Sequence, residues 1–389
     1  MTGDQLIICQ NSIHFKFKPL NSGIHRNPIG ALILWIGLTL VLSSCILTPP
    51  AFDEDAWQET VAGQTAEKLY APHVQNGVFF NPWMPMQKER LKAFLKWRFS
   101  KKADYTVEEK SFLPGIQTDL AQRLRRHPAQ NHIAWIGHAT FLIQTSGITW
   151  LTDPMLTDRA LLPKRVTPPA LTLADLQNLT SPLFVLISHN HYDHLDKDSI
   201  RALPGHARVF VPPGLKEWVQ SYFSGAVEEV DWWERVDIEQ DVCLTALPAQ
   251  HWSRRIGQDV NTSLWSSYLL ETPDATIYYG GDSGYFVGYR EIGQRFPGID
   301  YALIPLTAYH PRWFMHYAHM DASESILAFR DLGAKYFIPT QWGAFQLGDN
   351  PPGYPALDLR RQMKRLGLDS SRYIIMDIGQ MIVIPKKSA

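Results

Sequence analysis

The sequence predicts an α/β domain of four layers, an αββα sandwich with two sheets packed together and helices outside. Two observations carry this. From Ile133 onward, short apolar runs of strand length recur between Gly, Pro and Asp, among them "FVLIS", "LTALPA", "TIYYGG", "YALIP" and "KYFIP". Runs without polar alternation suit strands that are buried on both faces, as in a sheet covered on either side. Between them lie helices with readable ends: "DASESILAFRDLGA" places Asp321 and Glu324 at capping-box spacing and stops at Gly333.

The chain reads in three parts. Residues 1–45 have the character of an export signal. Lys16, Lys18 and Arg26 precede the apolar run "IGALILWIGLTLVL", which ends in "SSC" at Cys45. Such a run is short of the roughly 20 residues that span a bilayer and suits the apolar region of a signal peptide. "VLSSC" resembles a bacterial lipobox, which implies lipidation of Cys45, export and attachment to the cell envelope; an uncleaved signal anchor is the alternative. Residues 46–127 read as a short tether followed by helical and irregular segments rich in aromatics, including "GVFFNPWMP" and "LKAFLKWRFSKK". The latter fits either a solvated helix face or contact with anionic headgroups. Residues 128–389 hold the strand-rich domain.

At 389 residues and 45% hydrophobic, the chain is long enough to bury a substantial core. Its 37 basic and 38 acidic residues nearly cancel, so nucleic acid is not an expected partner. With Cys45 lipidated, only Cys243 would remain after processing. A lone cysteine forms no internal bridge, and Cys243 in "VCLTAL" reads as a small buried hydrophobe.

The chemistry concentrates in "SHNHYDHLD", residues 188–196, with three histidines and two aspartates in nine positions. Imidazole and carboxylate are ligands for Zn²⁺ and related first-row ions. In an extended loop, alternate side chains such as His189 and His191 can converge on one ion, leaving Asp193 and His194 for a second. The other ligand-type residues also follow strand-like runs: His251 after "LTALPA", Asp282 after "TIYYGG", and His310 to His319 after "YALIP". Reactive groups on loops at one edge of a rigid scaffold are a common arrangement.

His189, His191, Asp193 and His194 match H-x-H-x-D-H, the signature of the metallo-β-lactamase superfamily. In order, "WIGHATFLIQ", "LTDPM", "LISHNHYDHLD", "VDWWE", "PAQHWSRR", "GGDSGY", "AYHPRWFM" and "QWGAF" resemble the N-acylphosphatidylethanolamine-hydrolysing phospholipase D family over roughly Ile133 to Ile384. The resemblance implies a metallo-β-lactamase fold and a hydrolase that cleaves a phospholipid phosphodiester to release a phosphatidic acid. It also implies a two-zinc site, with His189, His191 and His251 on the first ion, Asp193 and His194 on the second, and Asp282 bridging. His319 matches a histidine beside the reacting phosphate, where it would bind a phosphoryl oxygen or donate a proton.

Two positions depart from the pattern. Gln341 in "TQWG" stands where the family has a histidine ligand of the second ion. A neutral amide oxygen binds such ions more weakly than imidazole, so the second ion is expected to be held loosely, coordinated differently, or to be an oxygen-preferring Mn²⁺ or Fe²⁺. His310 in "AYHPRWF" replaces an acidic residue and is a further possible ligand. His138 in "GHAT" reads as a supporting group. Trp232, Trp233, Trp313 and Phe314 read as core or pocket wall, and Arg159, Lys164 and Arg165 as solvated cations within reach of a phosphate. Two other functions stay open: a hydrolase of the same fold acting on a lactone, cyclic phosphodiester or other small ester, and a metal-binding lipoprotein that has lost catalysis.

Overall fold

Two sheets form the centre of the molecule in the computed structural model, which describes residues 48–86, 90–180 and 182–387. The apolar run and Cys45 lie outside the described residues. A short hairpin, β1 (Val74–Gln75) and β2 (Val78–Phe79), stands apart from the sheets. The first sheet contains β3 (His132–Gly137), β4 (Thr140–Thr145), β5 (Ile148–Thr152), β6 (Leu183–Leu186), β7 (Arg208–Val211) and β8 (Ala226–Glu229). The second contains β9 (Arg235–Glu239), β10 (Val242–Leu247), β11 (Ser267–Glu271), β12 (Thr276–Tyr279), β13 (Tyr301–Pro305) and β14 (Tyr336–Thr340). The last strand, β15 (Met381–Val383), returns to the first sheet, giving the orders β15-β3-β4-β5-β6-β7-β8 and β14-β13-β12-β11-β10-β9.

Side-chain alternation explains the four layers. Ile133, Trp135, Phe141, Trp150, Phe184 and Phe210 of the first sheet pack against Leu244, Tyr268, Leu270, Tyr279 and Leu303 of the second. The intervening residues of the first sheet, such as Ala134, Leu151, Val185 and Val209, face outward onto Leu176, Ile200 and Val219 of short helices. On the far side of the second sheet, Leu269, Tyr278, Ala302 and Phe337 pack against Tyr289, Ile326, Phe329 and Leu359 of helices Gly288–Arg295, Ala322–Leu332 and Tyr354–Arg365. The central strands therefore bury both faces, as the unbroken apolar runs require, whereas the edge strands β8 and β9 leave alternate residues exposed. This is the αββα sandwich that the sequence predicts.

Helix ends follow the local chemistry. Asp321 and Glu324 cap each other reciprocally, and Gly333 closes the helix at φ 63°, a left-handed conformation that costs glycine little. Asp53 caps Glu54–Ala62 by accepting from Ala56 N at 3.0 Å. That helix is tied to the second sheet's outer helices: Trp57 Nε1 donates to Glu324 Oε1 at 2.6 Å, and Arg312 bridges Glu324 (2.9 Å) and Glu54 (2.8 Å). Burial pushes the Glu324 carboxyl up to about 7 against the opposing pull of Arg312.

Strand direction positions the site. β5 runs parallel to β6 and β6 to β7; β12, β13 and β14 are likewise parallel. Two antiparallel steps make β3 parallel to β5 and β10 parallel to β12. The carboxyl ends of β3, β5 and β6 thus share one edge, as do those of β10, β12 and β14. Ser266 N donating to Ser188 O (2.9 Å) and Gln341 N donating to His138 O (3.1 Å) join the two edges.

Candidate metal centre

Each loop at the joined edges delivers one or more ligand-type side chains. His189, His191, His251 and Asp282 meet in one cluster; His138, Asp193 and His194 meet in another. In the first, His191 Nδ1 lies 2.9 Å from His189 Nε2 and 3.1 Å from His251 Nε2. Asp282 Oδ2 is 3.8 Å from His189 Nε2 and 3.6 Å from His251 Nε2. The other oxygen of the same carboxylate, Oδ1, faces the second cluster at 3.2 Å from His194 Nε2. Asp193 Oδ2 is 3.5 Å from that nitrogen. Asp282 therefore stands between the clusters with one oxygen toward each.

Surrounding hydrogen bonds fix which nitrogens face inward. Ser188 Oγ donates its single hydrogen to Asp153 at 2.5 Å, so it accepts from His189 Nδ1 at 2.9 Å and leaves the His189 Nε2 lone pair facing the cluster. His251 Nδ1 faces the Ala318 carbonyl at 3.3 Å, which can only accept; its Nε2 lone pair also points inward. His194 Nδ1 donates to Asp153 Oδ2 at 2.6 Å, turning Nε2 toward Asp193 and Asp282. Asp153 also accepts from Ser188 N and Tyr279 OH and is fully buried.

Convergent lone pairs and carboxylates repel one another unless a cation lies among them. Ligands held about 2.0–2.1 Å from an ion at tetrahedral angles are separated by about 3.3 Å, and the distances of the first cluster straddle that value. Electrostatics agree. Burial, with the neighbouring histidines, drives His189 well below the usual imidazole range, so it stays neutral and competent as a ligand. Burial also opposes charge on His194, yet Asp282, Asp193 and Asp153 outweigh it and hold its imidazole well above that range. Asp193 and Asp282 are held below the usual carboxylate range, with His194 overcoming the opposing effect of burial. These residues fit a divalent metal centre.

Gln341 follows β14 in a left-handed conformation, φ 73°. Its Nε2 donates to the Gly281 carbonyl at 2.8 Å, while its buried Oε1 has no hydrogen-bond partner among the described residues. Turning the amide over would set oxygen against oxygen, so Oε1 is the atom left available as a ligand. Gln341 is bracketed by the second cluster: Gly281 precedes Asp282, and His138, whose carbonyl accepts from Gln341 N, holds Asp193 through its Nε2 at 3.0 Å. Gly281 is required here, since a Cβ at its φ of 55° would lie 2.7 Å from Ser188 Cβ. His138 and Asp153 also have positive φ, 51° and 30°. Non-glycine residues in such conformations concentrate where surrounding structure enforces them, often at functional sites.

His319 is half-buried beside the first cluster, its ring centroid 5.5 Å from that of His251. A surface concavity lined by Tyr192, Trp252, Arg254 and Ile256 adjoins His191, whose ring packs 4.5 Å from Trp252. His310 belongs to neither cluster; its Nδ1 pairs with Tyr105 OH at 2.6 Å. Arg165 is buried rather than solvated: it donates to the Met155 and Thr157 carbonyls and lies over Phe345, and burial lowers it to about 10. Arg159 and Lys164 are exposed. Trp232 is core, donating to Trp265 O, and Trp233 stacks on Tyr70. Trp313 and Phe314 line a small cavity, and Cys243 is buried. Asp153 lies in "LTDPM", a segment whose residues alone do not disclose its part in orienting His194.

Fold and site together define a metal-dependent hydrolase of the metallo-β-lactamase superfamily. Residues 149–342 match the β-lactamase superfamily domain model. A possible metal-dependent hydrolase from Veillonella parvula has the same fold, with a TM-score of 0.54 at 19% identity over 66% of this chain and 100% of that one. An uncharacterized protein of Mycobacterium tuberculosis is 30% identical over 79% of this chain and 82% of its own length. The N-acyl-phosphatidylethanolamine-hydrolyzing phospholipase D 1 of Caenorhabditis elegans is 32% identical over 64% of this chain and 74% of its length. The chain belongs to the N-acylphosphatidylethanolamine-hydrolysing phospholipase D family.

Proposed function

We propose that this protein is a phospholipase D-type phosphodiesterase acting on N-acylphosphatidylethanolamine-like phospholipids. The observation that carries this reading is the pair of adjoining clusters with one Asp282 oxygen toward each, a geometry suited to displacement at phosphorus. His189, His191, His251 and Asp282 would hold a first ion, for which zinc is the best match to the nitrogen-rich set. Asp193, His194, Asp282 and Gln341 would hold a second. When bound, such a pair lowers the pKa of water and neutralises charge developing on the phosphoryl oxygens.

The chain's own groups do the rest. Asp193, hydrogen-bonded by His138, and Asp282 keep fixed negative charge at the reacting centre. His319, half-buried beside His251 of the first cluster, would bind a phosphoryl oxygen or give a proton to the departing alcohol. Water adds to phosphorus, the headgroup P–O bond breaks, and phosphatidic acid and an N-acylethanolamine leave. The test is hydrolysis of an N-acylphosphatidylethanolamine in mixed micelles by the metal-loaded full chain, run beside a lactone and a simple aryl phosphodiester. Phosphatidic acid as product supports the reading; lactone opening without phospholipid turnover contradicts it. Metal uptake with no turnover of any of the three indicates a binding protein.

The lipobox-like "LSSC" supports export and lipid attachment at Cys45. With Cys45→Ser, precursor size and membrane extractability should both change; if neither does, the apolar run acts as an uncleaved anchor.

A further inference from the structure

We propose that the outward face of helix Arg90–Phe99 docks the protein on an anionic lipid bilayer. At 100° per residue the helix divides sharply. Ala93 and Trp97 point inward, and the Trp97 ring stacks 5.0 Å from Phe314 at 17° while its Nε1 donates to Asp349 at 2.9 Å. The remaining surface carries exposed large apolar residues: Leu91 is 71% exposed, Leu95 47% and Phe99 59%, with Phe94, 44% exposed, at the border where its ring edge meets Trp97 at 5.7 Å. Single exposed leucines are ordinary on a protein surface, but neighbouring large ones on one helix face are not. Trp97 and Ala93 anchor the helix through its inner side, and four large apolar side chains stay outside.

Charge chooses the occupant. The chain as a whole has a net charge of −1, yet Leu91 to Lys102 contains Lys92, Lys96, Arg98, Lys101 and Lys102 and no acidic residue. Lys102 is engaged by Asp349 at 2.9 Å; Arg98, within the apolar face by helical spacing, and Lys101, just beyond the helix, are exposed. Two copies meeting through this face would bring like charges together. A bilayer with anionic headgroups supplies both an apolar interior for Leu91, Phe94, Leu95 and Phe99 and counter-charge for the lysines.

Position gives the surface a use. The cavity behind the helix is lined by Ala93, Phe314 and Ala318, and the Ala318 carbonyl is the group that orients His251. A docked helix therefore lies one packed layer from the metal-binding cluster. The inference stands on the helix alone and does not require a lipid substrate, so its readout is physical contact rather than turnover.

The test is amide hydrogen exchange of the full chain reconstituted in vesicles of phosphatidylcholine alone or with about a third phosphatidylglycerol. Exchange across Leu91–Phe99 should slow about tenfold on the anionic vesicles, and high salt should remove much of the effect. A variant with Leu91→Ala, Phe94→Ala, Leu95→Ala and Phe99→Ala keeps helix propensity and should lose this slowing, with metal content unchanged. Equal exchange on both vesicles, or slowing that survives in the variant, overturns the proposal. Slowing that instead grows with protein concentration in the absence of vesicles assigns the face to a second copy and also overturns it. Phospholipid turnover without the exchange effect would leave the proposed activity standing and remove only the docking surface.

Discussion

The two clusters share Asp282 but differ in their donors. Around the first, His189, His191 and His251 supply three imidazoles to one carboxylate oxygen, and burial keeps His189 neutral. Around the second, His194 faces Asp193 and Asp282, His138 is engaged in holding Asp193, and Gln341 is tied through its Nε2 to the carbonyl of Gly281, the residue before Asp282. Nitrogen-rich sets favour zinc, whereas carboxylate- and carbonyl-rich sets also suit harder ions. The supports differ as well. His251 is oriented by a neutral backbone carbonyl, but His194 is oriented by the buried carboxylate of Asp153. A site built this way would hold one ion by donor number and another by charge.

The largest effect is expected at His251. His251→Ala removes one imidazole of three and should release the first ion and reduce turnover to background, checked by elemental analysis and a single-turnover assay. Retention of full metal content would show that the cluster does not bind as a unit. A smaller effect is expected from Asp153→Asn, which leaves every direct ligand in place and removes the charge behind His194. Carboxylates that orient ligand histidines are worth about 10–100-fold in metal affinity. The loss should fall on the second ion alone, with the melting temperature recorded to separate it from general destabilisation. Equal loss of both ions would mean that Asp153 supports the whole edge rather than one cluster.

Acid should sharpen the same contrast. His194 is held above the usual imidazole range, so without metal its protonated form stabilises the fold; that contribution is present below the unfolded value and lost as pH rises through the folded one. A metal must displace this proton, and affinity at the second cluster should fall about tenfold per pH unit below the raised value. His189 is shifted the other way and stays neutral into more acidic solution. Lowering the pH should therefore strip the second ion first, as seen by metal retention after dialysis across a pH series. Simultaneous release would remove the distinction.

How much of this was legible in the sequence depended on distance along the chain. "SHNHYDHLD" carries four site residues in one loop, and the strand-like runs point to where His251, Asp282 and Gln341 would follow. The capping box at Asp321 and the stop at Gly333 are local chemistry and appear as read. Interactions that depend on the joining of two sheets were not legible. Asp153 reaches His194 from another strand end, Gln341 is oriented by a glycine carbonyl some sixty residues away in sequence, and Arg165 is buried by Phe345. His310 sits in a motif segment that otherwise matches, but its loop turns the ring to Tyr105 instead of the metal clusters. The basic aromatic stretch left two readings open because sequence alone does not say which face of a helix packs; Trp97 against Phe314 decides that.

Gln341 is where two metal sites on one edge would come to differ in donor strength. The most direct measurement is the metal content per chain of wild type and Gln341→His, each loaded with zinc and dialysed against the same chelator series. Wild type should lose one ion at low chelator and retain the other, and Gln341→His should retain both to a similar chelator concentration. Two ions held equally tightly in the wild type, or no change on placing histidine at 341, would contradict that difference.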